Sequence, residues 1–257
     1  MIDKIELLNI FNPETYNTVK TLPTFRKKLP STINLDKKIK YIHKNFNSIN
    51  LLDYYIRSQE TTRGIHVVAY SNVISKILMG IYTKKNFTIE VITDRQIIYL
   101  NDPSNINSNE FLIENLTKLE IFKNTLLNNN KNMRYGLSKV RFGKYNLVIG
   151  GKIDATIFNK NINILLVKKL TYRILLDTYI NGIITNTYKI LYGIINKDNK
   201  IRYLSSLKIE DIKEMLSLDE NIGQNFFDKI ITAINNTSEK YKFLLTYNAN
   251  NQEIIIE

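Results

Sequence analysis

GIHVVAYSNVISKILMGIYTKKNFTIEVITDRQIIYL, residues 64–100, carries the fold. GIHVVAY (64–70) is a β-branched apolar run of strand length, and such a run fits a strand covered on both faces. Ser71 follows as a helix cap ahead of VISKILMGIY, whose apolar residues return every three to four positions. FTIEVIT and RQIIYL then follow as two strand-like runs separated only by Asp94, which predicts a tight hairpin. Strand, helix and hairpin in quick succession require a sheet with a helix laid on it.

The rest of the chain extends this pattern. SNEFLIENLTKLEIFKNTLL predicts a helix packed on one face, and the Asn128, Asn129, Asn130 run reads as a loop. Strand candidates follow near 133–142 and 145–158 and at INILLVKK. A helix is expected around 172–184, then the strand pair TYKILYGII and KIRYLSSL. Helices near 209–217 and 222–237 precede a closing hairpin, YKFLLTYN and QEIIIE. Residues 1–35 are expected to form an irregular N-terminal segment, punctuated by Pro23 and Pro30. Strands and helices mixed without regular alternation predict an α+β or mixed α/β class, with twisted mixed sheets flanked by helices in one domain over 1–257. A helical bundle and a pure sandwich are disfavoured.

Composition narrows the function classes. Lys and Arg outnumber Asp and Glu by 36 to 24, a net charge of +12 and a pI near 9.5. Such a field attracts polyanions, nucleic acid foremost. Heavy use of Lys, Asn and Ile with no Trp is also the bias of an AT-rich coding sequence. The chain has no cysteine, which removes disulfides, thiolate zinc sites and thiol catalysis and fits a reducing, intracellular compartment; nothing separates nucleus from cytoplasm. No apolar stretch is long enough to span a membrane, and MIDKIELLNIFNPETY does not read as a secretory signal. His43, in the basic aromatic KYIHKNF, reads as exposed, and His66 in its apolar strand as a packing or surface residue. Neither sits with a nucleophile motif. No P-loop, dinucleotide fingerprint or zinc-deaminase pattern occurs.

A family resemblance enters through several short segments in a shared order. PTFRKKL followed by INLD resembles a basic segment leading into a strand that ends in Leu-Asp. VVAYSNVISKIL, FTIEVITDRQIIYL and LTKLE come next. GGKIDAT and LLVKKL resemble paired acidic strands of the form GE-x-D and E-x-K, and KILYGIINKDNKIRYLSSLK, with Gly193 at its centre, and YKFLLTYNANNQEIIIE close the series. Over roughly residues 20 to 257 this order resembles the DXO decapping-exonuclease family, which includes the nuclear partner of the 5′–3′ exoribonuclease. The resemblance implies metal-dependent hydrolysis at RNA 5′ ends, including removal of incomplete or NAD caps and 5′–3′ digestion, with carboxylates holding paired Mg²⁺ or Mn²⁺.

Carried over residue by residue, the resemblance places Ser71 at the usual Arg position and Glu120 at the helix carboxylate. Lys152 stands where the family has Glu, with Asp154 and Lys169 as matches. Val167 replaces a second Glu, and Asn181 a Gln. Residues two apart on a strand share a face, so Lys152 points with Asp154 and Val167 with Lys169. The family's site implies about −3 around its metals, whereas Glu120 and Asp154 facing Lys152 and Lys169 sum to zero. Ammonium groups repel a divalent ion and valine offers no donor. The expectation is a degenerate member with no metal or other cofactor, in which Glu120, Lys152, Asp154 and Lys169 form an ion-pair cluster. The plain alternative keeps Glu120 as a solvated helix residue and the others as strand charges.

Three functions follow. One is a binding or stabilising partner, with a 5′–3′ exoribonuclease as the implied partner. The second is a surviving Mg²⁺- or Mn²⁺-dependent decapping nuclease. The third is an RNA- or nucleotide-binding module. For the RNA contact the candidates are Lys139, Arg141, Lys144 and Arg173, beside the basic Lys27, Lys28, Lys37, Lys38 and Lys40, with tyrosines between them that can stack on bases.

Overall fold

The computed structural model describes residues 2–11, 35, 64–94, 96–103, 110–127, 135–158, 160–237 and 241–257. Pro23, Pro30, the basic pairs at 27–28 and 37–40, His43 and Asn128–Asn130 lie outside these residues. The irregular start expected over 1–35 is corrected at its beginning, because Ile2–Phe11 form a strand, β1. It pairs antiparallel with Tyr135–Phe142 (β5), with register shifts at Ile2/Lys4 and Leu7/Asn9. Each shift sets two residues of one strand against one of the other and breaks the regular pairing. Apolar residues therefore do not alternate along IDKIELLNIF, which hides the strand from a period-two reading.

The 64–100 segment folds as its pattern requires. β2 (Val67–Tyr70) is buried throughout, and α1 (Ser71–Thr83) packs Val73, Ile74, Ile77 and Leu78 inward. Ser71 is the first helical residue rather than the cap. Tyr70 holds the cap position, with no side-chain bond to the helix. β3 (Phe87–Asp94) and β4 (Ile97–Asn101) form the hairpin, and Gln96 adopts a left-handed φ of 70° in its turn. Further along come α2 (Glu110–Leu126), β6 (Tyr145–Lys152), β7 (Ala155–Ile157), β8 (Lys160–Val167) and α3 (Tyr172–Ile184). Then follow β9 (Thr187–Ile195), β10 (Ile201–Lys208), α4 (Ile209–Leu216), α5 (Glu220–Asn235), β11 (Lys242–Asn248) and β12 (Glu253–Ile256).

The strands make two mixed sheets. The larger runs β1-β5-β6-β2-β4-β3-β11-β12, with β2 parallel to both β4 and β6; the smaller runs β10-β9-β8-β7, with β8 and β9 parallel. A parallel pair needs a crossover, and α3 supplies it between β8 and β9. α1, α3, α4 and α5 share the main apolar core with β2–β4, β6, β9 and β11. A smaller core lies under α2, where Ile121, Phe122, Leu126 and Leu127 pack with Leu35, Ala155, Ile164 and Ile195. Gly193 on β9 permits that approach: a Cβ there would meet Phe122 Cζ at 2.7 Å.

One ion pair ties α5 to its neighbours. Tyr179 Oη donates to Glu220, and Lys213 Nζ lies 3.1 Å from the same carboxylate. Burial pushes Glu220 up, but the hydroxyl and the ammonium outweigh it and hold the carboxyl at about 2. A depressed folded value means the stabilisation is present above the ordinary glutamate range and is lost as pH falls toward 2. Glu220→Gln is therefore expected to reduce stability at pH 7, with the gap to the parent closing between about pH 4.3 and pH 2. Urea unfolding across that range measures it.

Candidate functional site

Four charged side chains converge where α2 crosses the ends of β6 and β7. Glu120 and Lys123 lie one helical turn apart on α2. Lys152 ends β6, and Asp154 stands just ahead of β7. Lys123 Nζ sits 2.6 Å from Asp154 Oδ1 and 4.0 Å from Glu120 Oε1, while Lys152 Nζ lies 3.6 Å from Glu120 Oε1. The second Asp154 oxygen accepts from the Ile164 N–H of β8 at 2.8 Å. Both oxygens of Asp154 are thus committed. The Lys123 and Asp154 side chains are 4% and 8% exposed, against 25% for Glu120 and 36% for Lys152, so the pair at the bottom is dry and the rim is wet.

Burial pushes the Asp154 carboxyl up, but Lys123 and Lys152 together overcome it and hold the group below the usual aspartate value. Burial acts the other way on the lysines. It prevails at Lys123, which is lowered, whereas Asp154 and Glu120 prevail at Lys152, which is raised. Two carboxylates and two ammonium groups sum to zero.

The cluster forms, with one correction to its membership. Lys169 is exposed in a bend beyond the end of β8 and pairs with none of these groups. Lys123 takes the place expected for it. A signal for Lys123 was present, because it stands three residues after Glu120, the spacing at which side chains neighbour each other on a helix. Among the described residues, no group of three or more His, Asp and Glu side chains is placed to hold a metal ion.

Val167 and Asn181 line a cavity of about 570 Å³ between α1 and α3. Val167 and Leu165 form its apolar wall from β8, so neither cavity-facing position at that end of the strand offers an oxygen. Asn181 projects into it from α3 and donates to Ser75 Oγ at 3.1 Å and to Asp177 Oδ1 at 3.0 Å. Ser75, buried on α1, donates to the same Asp177 oxygen at 2.7 Å. Ser75, Asp177 and Lys76 escape a motif reading because their partners lie on other elements. Lys76 is held by Asp102 at 2.8 Å and by the Thr88 carbonyl at 3.0 Å. Ser71 does not line the cavity; its Oγ lies beside Gly151.

Asp177→Ala is expected to destabilise the fold by about 1–3 kcal/mol, because it strands the buried Ser75 hydroxyl without its acceptor. A matched Ser75→Ala, Asp177→Ala pair costing less than the sum of the two singles, in thermal unfolding, checks the coupling.

The RNA candidates do not form one group by sequence element. Lys139 is half-buried and Arg141 exposed on β5, and Lys144, in the β5–β6 turn, is paired with Asp228 at 2.7 Å. Arg173 lies on the first turn of α3 and lines the cavity. His66 is exposed and accepts the Asn146 N–H on Nδ1 at 2.9 Å. No described helix is long and apolar enough to cross a membrane.

No protein-family profile matches the chain, and no curated protein is similar to it in sequence. Solved structures are similar in fold. Rai1 of S. pombe superposes with a TM-score of 0.82 at 12% identity, covering 100% of this chain and 94% of that one. Dxo1 of K. lactis, solved in complex with manganese, gives 0.78 at 13% identity over 100% and 90%. Rai1 of Candida albicans, solved in complex with pU5 and Mn²⁺, gives 0.75 at 11% identity over 99% and 89%. The chain has the fold of the Rai1 and Dxo1 proteins.

Proposed function

We propose that this chain is a catalytically degenerate DXO-like protein that acts by binding, as a stabilising partner in RNA 5′-end processing and decay. The observation that carries the reading is the Lys123 ammonium 2.6 Å from Asp154 Oδ1, at the bottom of the pocket whose helix and strand carboxylates would otherwise face a metal. A divalent ion requires net negative oxygen donors that are free to coordinate. Here one aspartate oxygen is taken by an ammonium and the other by a backbone N–H, and Glu120 is shared between two lysines. That donor set does not fit Mg²⁺ or Mn²⁺, and no hydrolytic step is derived through either.

The fold supports the setting, since it is shared with Rai1 and Dxo1, one of which was solved with pU5 and Mn²⁺. A 5′–3′ exoribonuclease is the partner to test first, because a stabilising role needs a surface and no metal. The direct test is release of nucleotide from RNA carrying a 5′ monophosphate, an incomplete cap or an NAD cap, with Mn²⁺ present. No release by the parent protein is expected. Release that disappears in Asp154→Ala would restore the nuclease.

One observation favours an RNA- or nucleotide-binding module as a second reading. The cavity between α1 and α3 carries Arg173, Asn181 and Lys76 on its wall. A binding curve with a 5′-phosphorylated oligouridylate separates the two: phosphate contacts give an affinity that falls steeply with salt and with Arg173→Ala.

A further inference from the structure

We infer that the outer edge of β10 is a docking site for an extended acidic segment of a partner protein, which pairs there as a fifth strand of the smaller sheet. Among the described residues β10 ends that sheet, and no strand lies beyond it. An edge strand turns alternate N–H and C=O groups away from its neighbour, and these form a ready ladder for another backbone. β10 is eight residues long, contains no proline, runs in regular register from Tyr203 to Lys208, and among the described residues has no strand over its outer edge; Tyr203 is 52% exposed and Leu204 36%. The two lie on opposite faces of the strand, so an added strand finds an apolar contact on each side. Tyr203 is already held in place by the Tyr192 ring, with centroids 6.1 Å apart.

Charge selects the occupant. Lys208 stands directly opposite Lys189 on β9, and like charges in that position oppose the pairing. Arg202, at the register shift between Ile201 and Tyr203, and Lys208, on the Leu204 face, are both exposed. Among the described residues no carboxylate pairs with Lys189, Arg202 or Lys208; Asp211 accepts only from the Lys208 backbone N–H, at 3.4 Å. An acidic strand placed beyond β10 would set carboxylates beside Lys208 at one end and Arg202 at the other. RNA would meet the same charges but offers no amide ladder for the edge, and the pairing geometry therefore favours a peptide. This surface is separate from the Lys123 cluster, and the inference stands whichever function that cluster has.

The test uses the full chain and an acetylated, amidated octapeptide alternating Glu and Val. Its Lys-Val counterpart and an oligouridylate serve as comparators. Amide exchange in residues 201–208 is expected to slow by at least about tenfold with the Glu-Val peptide, at alternate positions, and not with the comparators. The charge reversals Arg202→Glu and Lys208→Glu together are expected to weaken the peptide by at least about tenfold at an unchanged melting temperature. Slowed exchange elsewhere only, equal slowing by the Lys-Val peptide, or protection of β10 by oligouridylate alone overturns the inference.

Discussion

Lys123→Ala is expected to lower the free energy of unfolding by about 3–5 kcal/mol, the cost of leaving a buried carboxylate without its counter-ion. The size follows from burial, since Lys123 and Asp154 are both almost fully removed from water and only 2.6 Å apart. Lys152→Ala, at a partly exposed position, is expected to cost about 1 kcal/mol or less. Replacing both partners with apolar residues, Lys123→Met with Asp154→Leu, should recover much of the single-mutant loss, because no orphaned charge then remains. Urea unfolding of the three variants decides the matter. A Lys123→Ala cost near that of Lys152→Ala would mean the pair does not hold the pocket. The pH dependence has a definite sign: Asp154 is depressed in the folded state, so its contribution is complete above the ordinary aspartate value and disappears as acid protonates it. The parent and Lys123→Ala should therefore differ most near neutrality and converge at low pH.

The second large effect concerns metal. Lys152→Glu combined with Lys123→Ser changes the cluster from a net charge of zero to about −3 and frees an Asp154 oxygen. Mn²⁺ is expected to bind this variant at least about a hundredfold more tightly than the parent, since each removed ammonium was a like charge a few ångströms from the ion. Binding that favours the folded state also raises its melting temperature. The predicted signature is a variant less stable than the parent without Mn²⁺ and recovering with it, while the parent does not respond. Titration calorimetry and thermal unfolding with and without Mn²⁺ read both quantities. Equal Mn²⁺ binding by the parent would refute the degenerate reading, because the two lysines would then be no obstacle.

Where local period and local chemistry agree, the elements were legible in the residues. Helix 172–184 and the strand pair beginning at Thr187 appear where the pattern puts them, since one face of each meets a core and apolar spacing records which face. β1 was not legible, because its two register shifts scramble the alternation. Ser71 had the chemistry of a cap but falls one residue inside the helix, and such boundaries depend on a single turn of backbone.

The site divides in the same way. That Lys152 stands where the resemblance implies a glutamate is an expectation about one position, and the proposed charge deficit follows from it. Which lysine enters the pocket is a different kind of fact. Lys169 and Lys123 are both basic residues near apolar runs, but β8 ends before Lys169 and leaves it in water, while the packing of Ile121 and Phe122 under α2 carries Lys123 inward to an aspartate 31 residues away. Residue types and their spacing thus determined the mixed α and β elements and the excess of cations. Only the tertiary structure decided the partner of Asp154, because burial and distance between remote segments are set by how the two sheets and α2 pack, and no local pattern encodes them.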